Sequence, residues 1–459
     1  MTNIHVIKRK DKYIVYNPES LSLFSVAEDI GRNLESYEFR SERLPEYANY
    51  IEKDIVRLLD SFDETVYFDI SKSWAENDPK ALCLIISHDC NLRCGYCYAD
   101  HGAFGGEKKL MSFKTAKKSI EKILDKRSAN FILFYGGEPF LNVSLMNDVV
   151  EYGIRNDFNI KYTTITNGTI MNNTIKDFIY KKTFGLQISL DGPKEINDLQ
   201  RYGSVESVHD RVLETLSQLK SRTYPLSIKC IITKNSINKL TAIIEYLSSL
   251  GVGSIVFSEA SLLPKNSEFY LSDTEYENCV TELSNILVIN LNKLASGDKT
   301  PIVGPIFEIL RSLATKTRKV NNCSAGREYV AVTADGDVYP CHGFVGIDEF
   351  KMGNIHEGDF PGESYTCIKN IFKNINVYTS KECSSCWARF LCGGDCAVNS
   401  YSYNNDLSKP TKRRCIMTKS ILEALLPEIS EIFQDKTKMQ NIIKRFNRSG
   451  NIYQSPLPK

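Results

Sequence analysis

The placement of the cysteines constrains this chain most, because ten of the fourteen fall into two spaced groups and four are scattered. A disulfide framework is typical of small secreted domains. A chain of 459 residues whose first residues lack an apolar signal segment is instead expected to keep its thiols for metal or redox chemistry. We therefore expect a reducing, cytoplasmic environment.

Charge and composition exclude several classes of protein. Lys and Arg total 57 and Asp and Glu total 56, so the net charge of +1 gives no reason to expect nucleic acid or an anionic membrane as a partner. Hydrophobic residues make up 42% and charged residues 25%, as in an ordinary globular protein. No segment of the sequence predicts a transmembrane helix.

A regular alternation of β-rich runs and amphipathic helices extends from Leu82 to about Glu259. Repeated βα units predict a parallel sheet, and six strands favour an incomplete barrel over a closed one of eight. The predicted strands are Leu82–Ser87, Phe131–Tyr135, Tyr162–Thr166, Leu186–Leu190, Ser227–Ile232 and Ser254–Phe257.

The two ends of the chain have other patterns. Three short alternating runs precede two helical patterns, and together they predict a small β-then-α module. The runs are His5–Lys8, Lys12–Val15 and Leu21–Phe24, and the helical patterns are Val26–Leu34 and Glu46–Leu59. The segment from 323 to 415 is rich in Cys and Gly and lacks long periodic runs, so we expect metal to replace an apolar core there. A last helical pattern covers Ser420–Phe433, and the basic run 412–414 is typical of a solvated turn.

The first cysteine group is C-x3-C-x2-C, formed by Cys90, Cys94 and Cys97 directly after the first predicted strand of the series. Three thiolates on one loop can hold three irons of a 4Fe-4S cluster, which leaves the fourth iron open for chemistry. A zinc knuckle is the alternative, but structural zinc sites use four ligands. Cys83 lies inside the strand, where we expect it to pack as an apolar residue.

This loop resembles the signature of radical S-adenosylmethionine (radical SAM) enzymes, and the run Gly136-Gly137-Glu138-Pro139 resembles their GGEP motif. The resemblance implies an incomplete β/α barrel and a cluster whose open iron binds SAM, which is cleaved reductively to a radical that removes a hydrogen atom from the substrate. It further implies that the GGEP backbone and Glu138 receive the amino group of SAM. The other implied contacts of SAM are Tyr96 through its backbone, Asn167, Ser189 and Arg201.

The second cysteine group resembles the SPASM extension of radical SAM enzymes that modify peptides and proteins. The resemblance implies two auxiliary 4Fe-4S clusters and so three clusters in all. It assigns to the outer cluster Cys383, Cys386, Cys392 and Cys415, and to the inner cluster Cys323, Cys341 and Cys396. The inner set is one ligand short, since Tyr329 stands where some relatives place a cysteine. Either a substrate thiolate binds the open iron, or another residue or water closes the site.

The residue after Cys341 bears on the reaction. Anaerobic sulfatase-maturing enzymes carry an Asp there as a catalytic base, whereas this chain has His342 within a run, YPCHGFVG, that resembles maturases of Cys-rich peptides. Those enzymes form thioether links between a cysteine sulfur and a carbon. His342 is therefore a candidate catalytic base, with a structural hydrogen-bonding role as the alternative.

We accordingly expect a radical SAM oxidoreductase that forms thioether crosslinks in a Cys-rich precursor peptide with a leader, supplied with electrons by a flavodoxin or ferredoxin. Formylglycine formation, carbon–carbon crosslinking and epimerisation are alternatives, as are an electron-transfer cluster protein without SAM chemistry and a zinc adaptor. The expected domains are a winged-helix-like precursor-recognition element (1–78), the radical SAM core (79–310), a SPASM domain (311–430) and a tail (431–459).

Overall fold

The computed structural model describes residues 4–9, 12–38, 81–181, 184–219 and 226–448. These residues form two compact units. The sheet unit comprises the described residues of 76–275 and 324–374, together with 446–448. The cysteine-rich unit comprises those of 1–75, 276–323 and 375–445. The predicted helix 46–59 lies outside the described residues.

The strands are numbered in chain order. They are β1 (His5–Arg9), β2 (Lys12–Asn17), β3 (Ser22–Val26), β4 (Ala81–Ser87), β5 (Asn130–Gly136), β6 (Ile160–Thr166), β7 (Phe184–Ser189), β8 (Ser227–Ile232), β9 (Ser254–Glu259), β10 (Ile302–Val303), β11 (Tyr329–Val332), β12 (Asp337–Tyr339) and β13 (Gly353–Asn354).

The α-helices are numbered in the same way. They are α1 (Glu28–Glu38), α2 (Phe113–Ile123), α3 (Val143–Arg155), α4 (Asn173–Lys181), α5 (Lys194–Gln200), α6 (Val208–Gln218), α7 (Leu240–Ser249), α8 (Asp273–Ser296), α9 (Ile306–Thr315), α10 (Glu363–Lys373), α11 (Lys381–Ser384), α12 (Arg389–Cys392), α13 (Ala397–Asn404), α14 (Lys412–Gln434) and α15 (Lys436–Arg448).

The sheet unit contains the predicted parallel sheet. Its strands follow the order β9-β8-β7-β6-β5-β4-β11-β12-β13, and β4 to β9 are parallel to one another. All six predicted strands of the βα series are present, within a few residues of their predicted bounds. Strand β11 was not predicted; it pairs in parallel with β4 so that Tyr329 lies opposite Ala81. This pairing brings the segment before Cys341 to the edge of the barrel sheet.

Side chains alternate between the two faces of this sheet, as the pleat requires. On β8, Ile228 and Cys230 are fully buried and on the opposite face from Lys229, which is half-buried. Cys83 and Leu133 belong to an apolar cluster that also receives the rings of Tyr135 and Tyr329. We call the face that carries these residues and Lys229 the inner face.

The cysteine-rich unit begins with an antiparallel sheet in the order β1-β2-β3. Helix α1 packs on it around Tyr13 and Leu34. A Cβ at Gly31 would lie 2.1 Å from the Tyr13 ring, so glycine lets this helix approach the sheet. The three strands agree with the predicted alternating runs.

Helix α14 is longer than the predicted helical pattern, because it begins at Lys412 with the Thr411 side chain as its N-cap. Arg413 is buried, and its guanidinium lies 5.4 Å from the centre of the Tyr276 ring. The prediction that 412–414 form a solvated turn is therefore wrong. Among the described helices, none has the length and apolar character needed to cross a membrane.

Candidate active site and cluster-binding residues

The first cysteine loop leaves the carboxyl end of β4 and is held by backbone hydrogen bonds. The Gly137 and Glu138 amides donate to the Ser87 and Asp89 carbonyls, both at 2.9 Å. The Asp89 carboxylate accepts from the amide of Cys90 at 2.8 Å, and the amide of Gly95 donates to Gln200 O at 3.0 Å. Backbone hydrogen bonds to the turn after β5 and to the end of α5 thus hold the cysteine loop in place.

The sulfurs of this loop face hydrogen-bond donors. The Leu92 amide lies 3.4 Å from Cys90 Sγ, and the His101 amide lies 3.3 Å from Cys97 Sγ. Arg201 Nη1 lies 3.9 Å from Cys94 Sγ. Such donors stabilise thiolates that ligate iron.

Burial raises the pKa of the Cys90 thiol to about 12 and that of Cys94 to about 11. Free thiolates would therefore be costly at these positions, and a bound metal supplies the missing positive charge. The spacing, donors and burial fit an iron-sulfur cluster. Cys94 and Cys97 also line an open pocket of about 400 Å³.

The two glycines of the GGEP run are required by the close approach of the cysteine loop. A Cβ at Gly137 would lie 2.2 Å from Asp89 O and 2.9 Å from Cys90 Cβ. At Gly136, φ is +142° and a Cβ would lie 2.2 Å from Ser87 O. Any side chain here would displace the loop that carries the cysteines.

Glu138 lies fully buried at the end of this turn. Its carboxylate accepts hydrogen bonds from the Asn167 amide (2.8 Å), the Phe140 amide (3.0 Å) and the Thr166 hydroxyl (2.7 Å). Burial raises the pKa of Glu138 to about 7, against the lowering effect of these donors. The Asn167 side chain in turn donates to Asn91 Oδ1 at 2.9 Å, so Glu138 ties β6 to the cysteine loop.

Asp191 joins several predicted residues, although no sequence motif singles it out. It is fully buried and accepts from Tyr96 Oη at 2.5 Å, from Arg201 Nε at 2.9 Å and from the Ile231 amide at 2.9 Å. The guanidinium of Arg201 also lies 5.4 Å from the centre of the Tyr96 ring. The only sequence signal was an acidic residue directly after a predicted strand.

A cluster of aromatic side chains on the inner face includes the candidate base. Tyr135 precedes the GGEP glycines, and its ring centre lies 4.7 Å from that of His342. His342 Nδ1 lies 2.8 Å from Tyr329 Oη, and Tyr135 Oη lies 2.9 Å from Tyr98 Oη. Burial and the Lys229 ammonium lower the pKa of His342 to about 4, which leaves the imidazole neutral.

Tyr135 also shows that the two cysteine groups meet within the sheet unit. Burial raises the pKa of its phenol to about 12, and Cys83, Cys97 and Cys341 add to the shift. Tyr135 therefore lies near one cysteine of the first group and one of the second. Cys83 hydrogen-bonds Tyr329 and so does more than fill apolar space.

The four cysteines expected to hold the outer cluster lie close together in the cysteine-rich unit. Burial raises the pKa of Cys415 to about 11, and the neighbouring thiols Cys392, Cys383 and Cys386 contribute. The guanidinium of Arg414 is near Cys392 and has a raised pKa in part because of it. This arrangement of four thiols fits a fully ligated cluster.

Two of the three cysteines expected to hold the inner cluster are also neighbours in this unit. Burial and then Cys323 raise the pKa of Cys396 to about 11. Cys341, the third, belongs to the sheet unit. Among the described residues, no three His, Cys, Asp or Glu side chains converge on a single metal-ion position.

Comparison with known proteins gives two family matches, the Radical SAM superfamily over residues 84–247 and the SPASM iron-sulfur cluster-binding domain over 323–387. An uncharacterized protein of Methanocaldococcus jannaschii is 32% identical over 61% of this chain and 89% of its own. A cysteine-type anaerobic sulfatase-maturating enzyme of Clostridium novyi is 27% identical, over 70% of this chain and 89% of its own. The structure of Streptococcus suis SuiB bound to precursor peptide SuiA superposes with a TM-score of 0.54 at 15% identity, covering 90% of this chain and 100% of SuiB.

A cysteine loop after the first parallel strand, a glycine turn packed against it and a second cysteine group define a radical SAM fold with a SPASM domain. The chain belongs to the radical SAM superfamily. Its cofactors are SAM and iron-sulfur clusters.

Proposed function

We propose that this protein is a peptide maturase that removes a hydrogen atom from a ribosomally made, Cys-rich precursor and forms sulfur-to-carbon thioether crosslinks. The observation that carries the proposal is the position of His342. It directly follows Cys341, and its ring lies beside Tyr135 at the start of the GGEP turn. A base candidate thus lies between a cysteine of the second group and the expected SAM site.

The sheet unit supplies the radical chemistry in this proposal. Cys90, Cys94 and Cys97 hold the cluster that binds SAM. When bound, cluster and SAM supply a carbon-centred radical that removes a hydrogen atom from the substrate. The residues proposed to bind SAM are Tyr96, Gly136, Gly137, Glu138, Asn167, Ser189 and Arg201. Among them, Glu138 and Arg201 orient the neighbouring loops through the hydrogen bonds described above.

The cysteine-rich unit is proposed to hold the outer auxiliary cluster through Cys383, Cys386, Cys392 and Cys415. The inner cluster takes Cys323, Cys341 and Cys396, which makes three 4Fe-4S clusters in the protein. An iron with three protein ligands leaves one position for the thiolate of the substrate cysteine. Binding to that iron would acidify the substrate thiol, and His342 would receive its proton on Nε2 because Nδ1 faces Tyr329 Oη. Bond formation between this sulfur and the substrate carbon radical would then release one electron, for which the auxiliary cluster would be the acceptor.

A peptide substrate is supported by two observations. SuiB, whose structure resembles this one, was crystallised with a precursor peptide. Among the described residues, β1 and β3 are the outer strands of the sheet β1-β2-β3, and a leader peptide is proposed to add beside one of them as a further strand. A flavodoxin or ferredoxin is the proposed reductant. The four domains expected from the sequence remain our division of the chain.

The test is the mass of a candidate Cys-rich precursor after anaerobic co-expression with this protein, before and after thiol alkylation. We expect the loss of two hydrogens for each link and a matching loss of alkylatable thiols. Full-mass peptide with all thiols free, from every candidate precursor, would contradict the proposal. The His342→Asp and His342→Gln variants serve as a pair, since only the first retains a base.

Formylglycine formation is the second candidate, because the Clostridium novyi relative is a sulfatase-maturating enzyme. A product that carries an aldehyde and reacts with hydroxylamine would favour this candidate. The histidine in place of the expected Asp argues for the thioether reaction.

A further inference from the structure

Lys229 is an unusual residue on the inner face of the barrel sheet. It lies on β8 directly opposite Ser189 of β7 in the sheet register. Residues paired in this way are about 4.8 Å apart and point to the same face. Because Ser189 is a proposed SAM contact at the end of its strand, Lys229 lies on the strand next to the expected SAM site.

The ammonium has a polar partner but no charged one. Its Nζ hydrogen-bonds to Ser258 Oγ on the neighbouring strand β9. Among the described residues, no carboxylate lies within ion-pair distance of Lys229 Nζ. Asp191, which acts on it from farther away, already receives hydrogen bonds from Arg201 and Tyr96.

The surroundings of this ammonium are costly for a charge. Burial lowers the pKa of Lys229 to about 8, against the attraction of Asp191. Lys229 shares the inner face with Tyr135 and Tyr329, the two side chains that contact His342. A cation largely shielded from water without a paired anion is unfavourable, and an anion that reaches Lys229 would relieve the cost.

Resting on the proposed function, we propose that Lys229 binds a side-chain carboxylate of the substrate peptide and thereby places an acidic residue at the site of hydrogen abstraction. SAM also carries a carboxylate, but by the radical SAM resemblance that group binds the open iron. Arg201 is also placed at the cysteine loop, with Nη1 3.9 Å from Cys94 Sγ. Lys229 is then left for the peptide. The carbon next to the bound carboxylate of the peptide becomes the carbon that accepts the cysteine sulfur.

Chemical labelling tests the carboxylate site without turnover. The anaerobic holoenzyme is treated with acetic anhydride, and acetylation of Lys229 is measured by peptide mass spectrometry with and without SAM. In the SAM-loaded enzyme we expect N-acetylaspartate N-methylamide to slow this labelling about fivefold or more, and the asparagine analogue to leave it unchanged. Lys194, which is exposed and paired with Asp210, is the matched control and should label equally throughout.

Two results would overturn the proposal. Full protection of Lys229 by SAM alone would assign the carboxylate to SAM. Equal labelling with the aspartate and asparagine analogues would show that no carboxylate site exists. Neither result depends on whether a crosslinked product is ever found, so this test is separate from that of the proposed function.

Turnover gives the second test, in a precursor that wild-type enzyme crosslinks. Each acidic core residue is changed to its amide, and the enzyme is compared with Lys229→Arg and Lys229→Gln. With wild-type enzyme, we expect the amide substitution at one acidic position of the precursor to lower the crosslinking rate about tenfold. With the Lys229→Gln enzyme, the same substitution in the precursor should not lower the rate further. Lys229→Arg should retain the preference for the acid. The same loss from that amide substitution in wild type and Lys229→Gln would contradict the proposal.

Discussion

The two cysteine groups of this protein are built on different supports. The first loop lies at the end of β4, where backbone bonds from the GGEP turn and buried groups such as Glu138 and Asp191 hold it. In the cysteine-rich unit, Cys383 and Cys392 of the second group lie on α11 and α12, helices of four residues each. Helices this short have little stability of their own. The sheet therefore positions the first group, whereas the second depends on its metal and on neighbouring side chains.

Side chains between the cysteines of the second group fasten it to the N-terminal sheet. The Trp387 ring stacks on His5 with 3.7 Å between ring centres. Arg389 forms an ion pair with Glu19, whose carbonyl oxygen also accepts from Arg318 Nε at 2.8 Å. The proposed leader-binding sheet thus contacts the segment that carries the cysteines of the proposed outer cluster, within one unit.

The largest expected effect separates chemistry from folding in the first group. Cys94→Ala should lower reductive SAM cleavage by at least about 1,000-fold, because the cluster would lose one of its three proposed protein ligands. The melting temperature should change little, since sheet elements hold the loop. The measurements are 5′-deoxyadenosine release and thermal unfolding. Cys367→Ala, at an exposed thiol outside both groups, is the control and should retain both properties.

In the second group the same kind of change should unfold its surroundings. Cys386→Ala is expected to destabilise the cysteine-rich unit by about 3–5 kcal/mol, because the four thiols are proposed to share one cluster. Hydrogen exchange in 381–418 should rise strongly while that of β4 to β9 does not. Equal protection of residues 381–418 from hydrogen exchange in wild type and variant would contradict the claim that the second cysteine group depends on its metal.

Asp191→Asn should destabilise the sheet unit by about 3 kcal/mol, because it leaves the buried Arg201 guanidinium without its anion. Chemical denaturation measures the loss. Asp210→Asn removes a carboxylate from an exposed ion pair and serves as the control, with no measurable change in stability expected. Equal effects of the two substitutions would refute the structural role of Asp191.

A smaller effect is expected where the N-terminal sheet meets the second group. Glu19→Gln should cost about 1 kcal/mol, since the ion pair with Arg389 is partly exposed, with 12% and 26% of the two side chains accessible. Increased proteolysis of residues 4–38 is the readout. Glu431→Gln, which loses a more exposed pair with Lys12, should have less effect.

Much of the sheet unit was predictable, because local patterns and the final contacts agree there. The period-2 and helical patterns gave the βα order, and the cysteine spacing gave the first loop. The strand β11 was missed, since a four-residue strand beside β4 has no periodic signal of its own. Its pairing with β4 depends on residues about 250 positions away in the sequence.

Other features depended on contacts that no local pattern shows. Asp191 and Lys229 gain their meaning only when strands bring Tyr96, Arg201 and Ser258 to them. Arg413 belongs to a basic run in the sequence, yet the aromatic rings around it make a buried site. The ligand sets of the two auxiliary clusters rest on resemblance and on the grouping of thiols, and remain a proposal.

The most direct test of the account is the electron paramagnetic resonance spectrum of the reduced protein with and without SAM. The first loop is proposed to leave one iron open, so SAM should change the signal of one cluster in wild type and leave the Cys94→Ala spectrum unchanged. The auxiliary signals should persist in both. A wild-type spectrum that SAM leaves unchanged, together with intact SAM, would contradict the central claim that this loop is the site of radical chemistry.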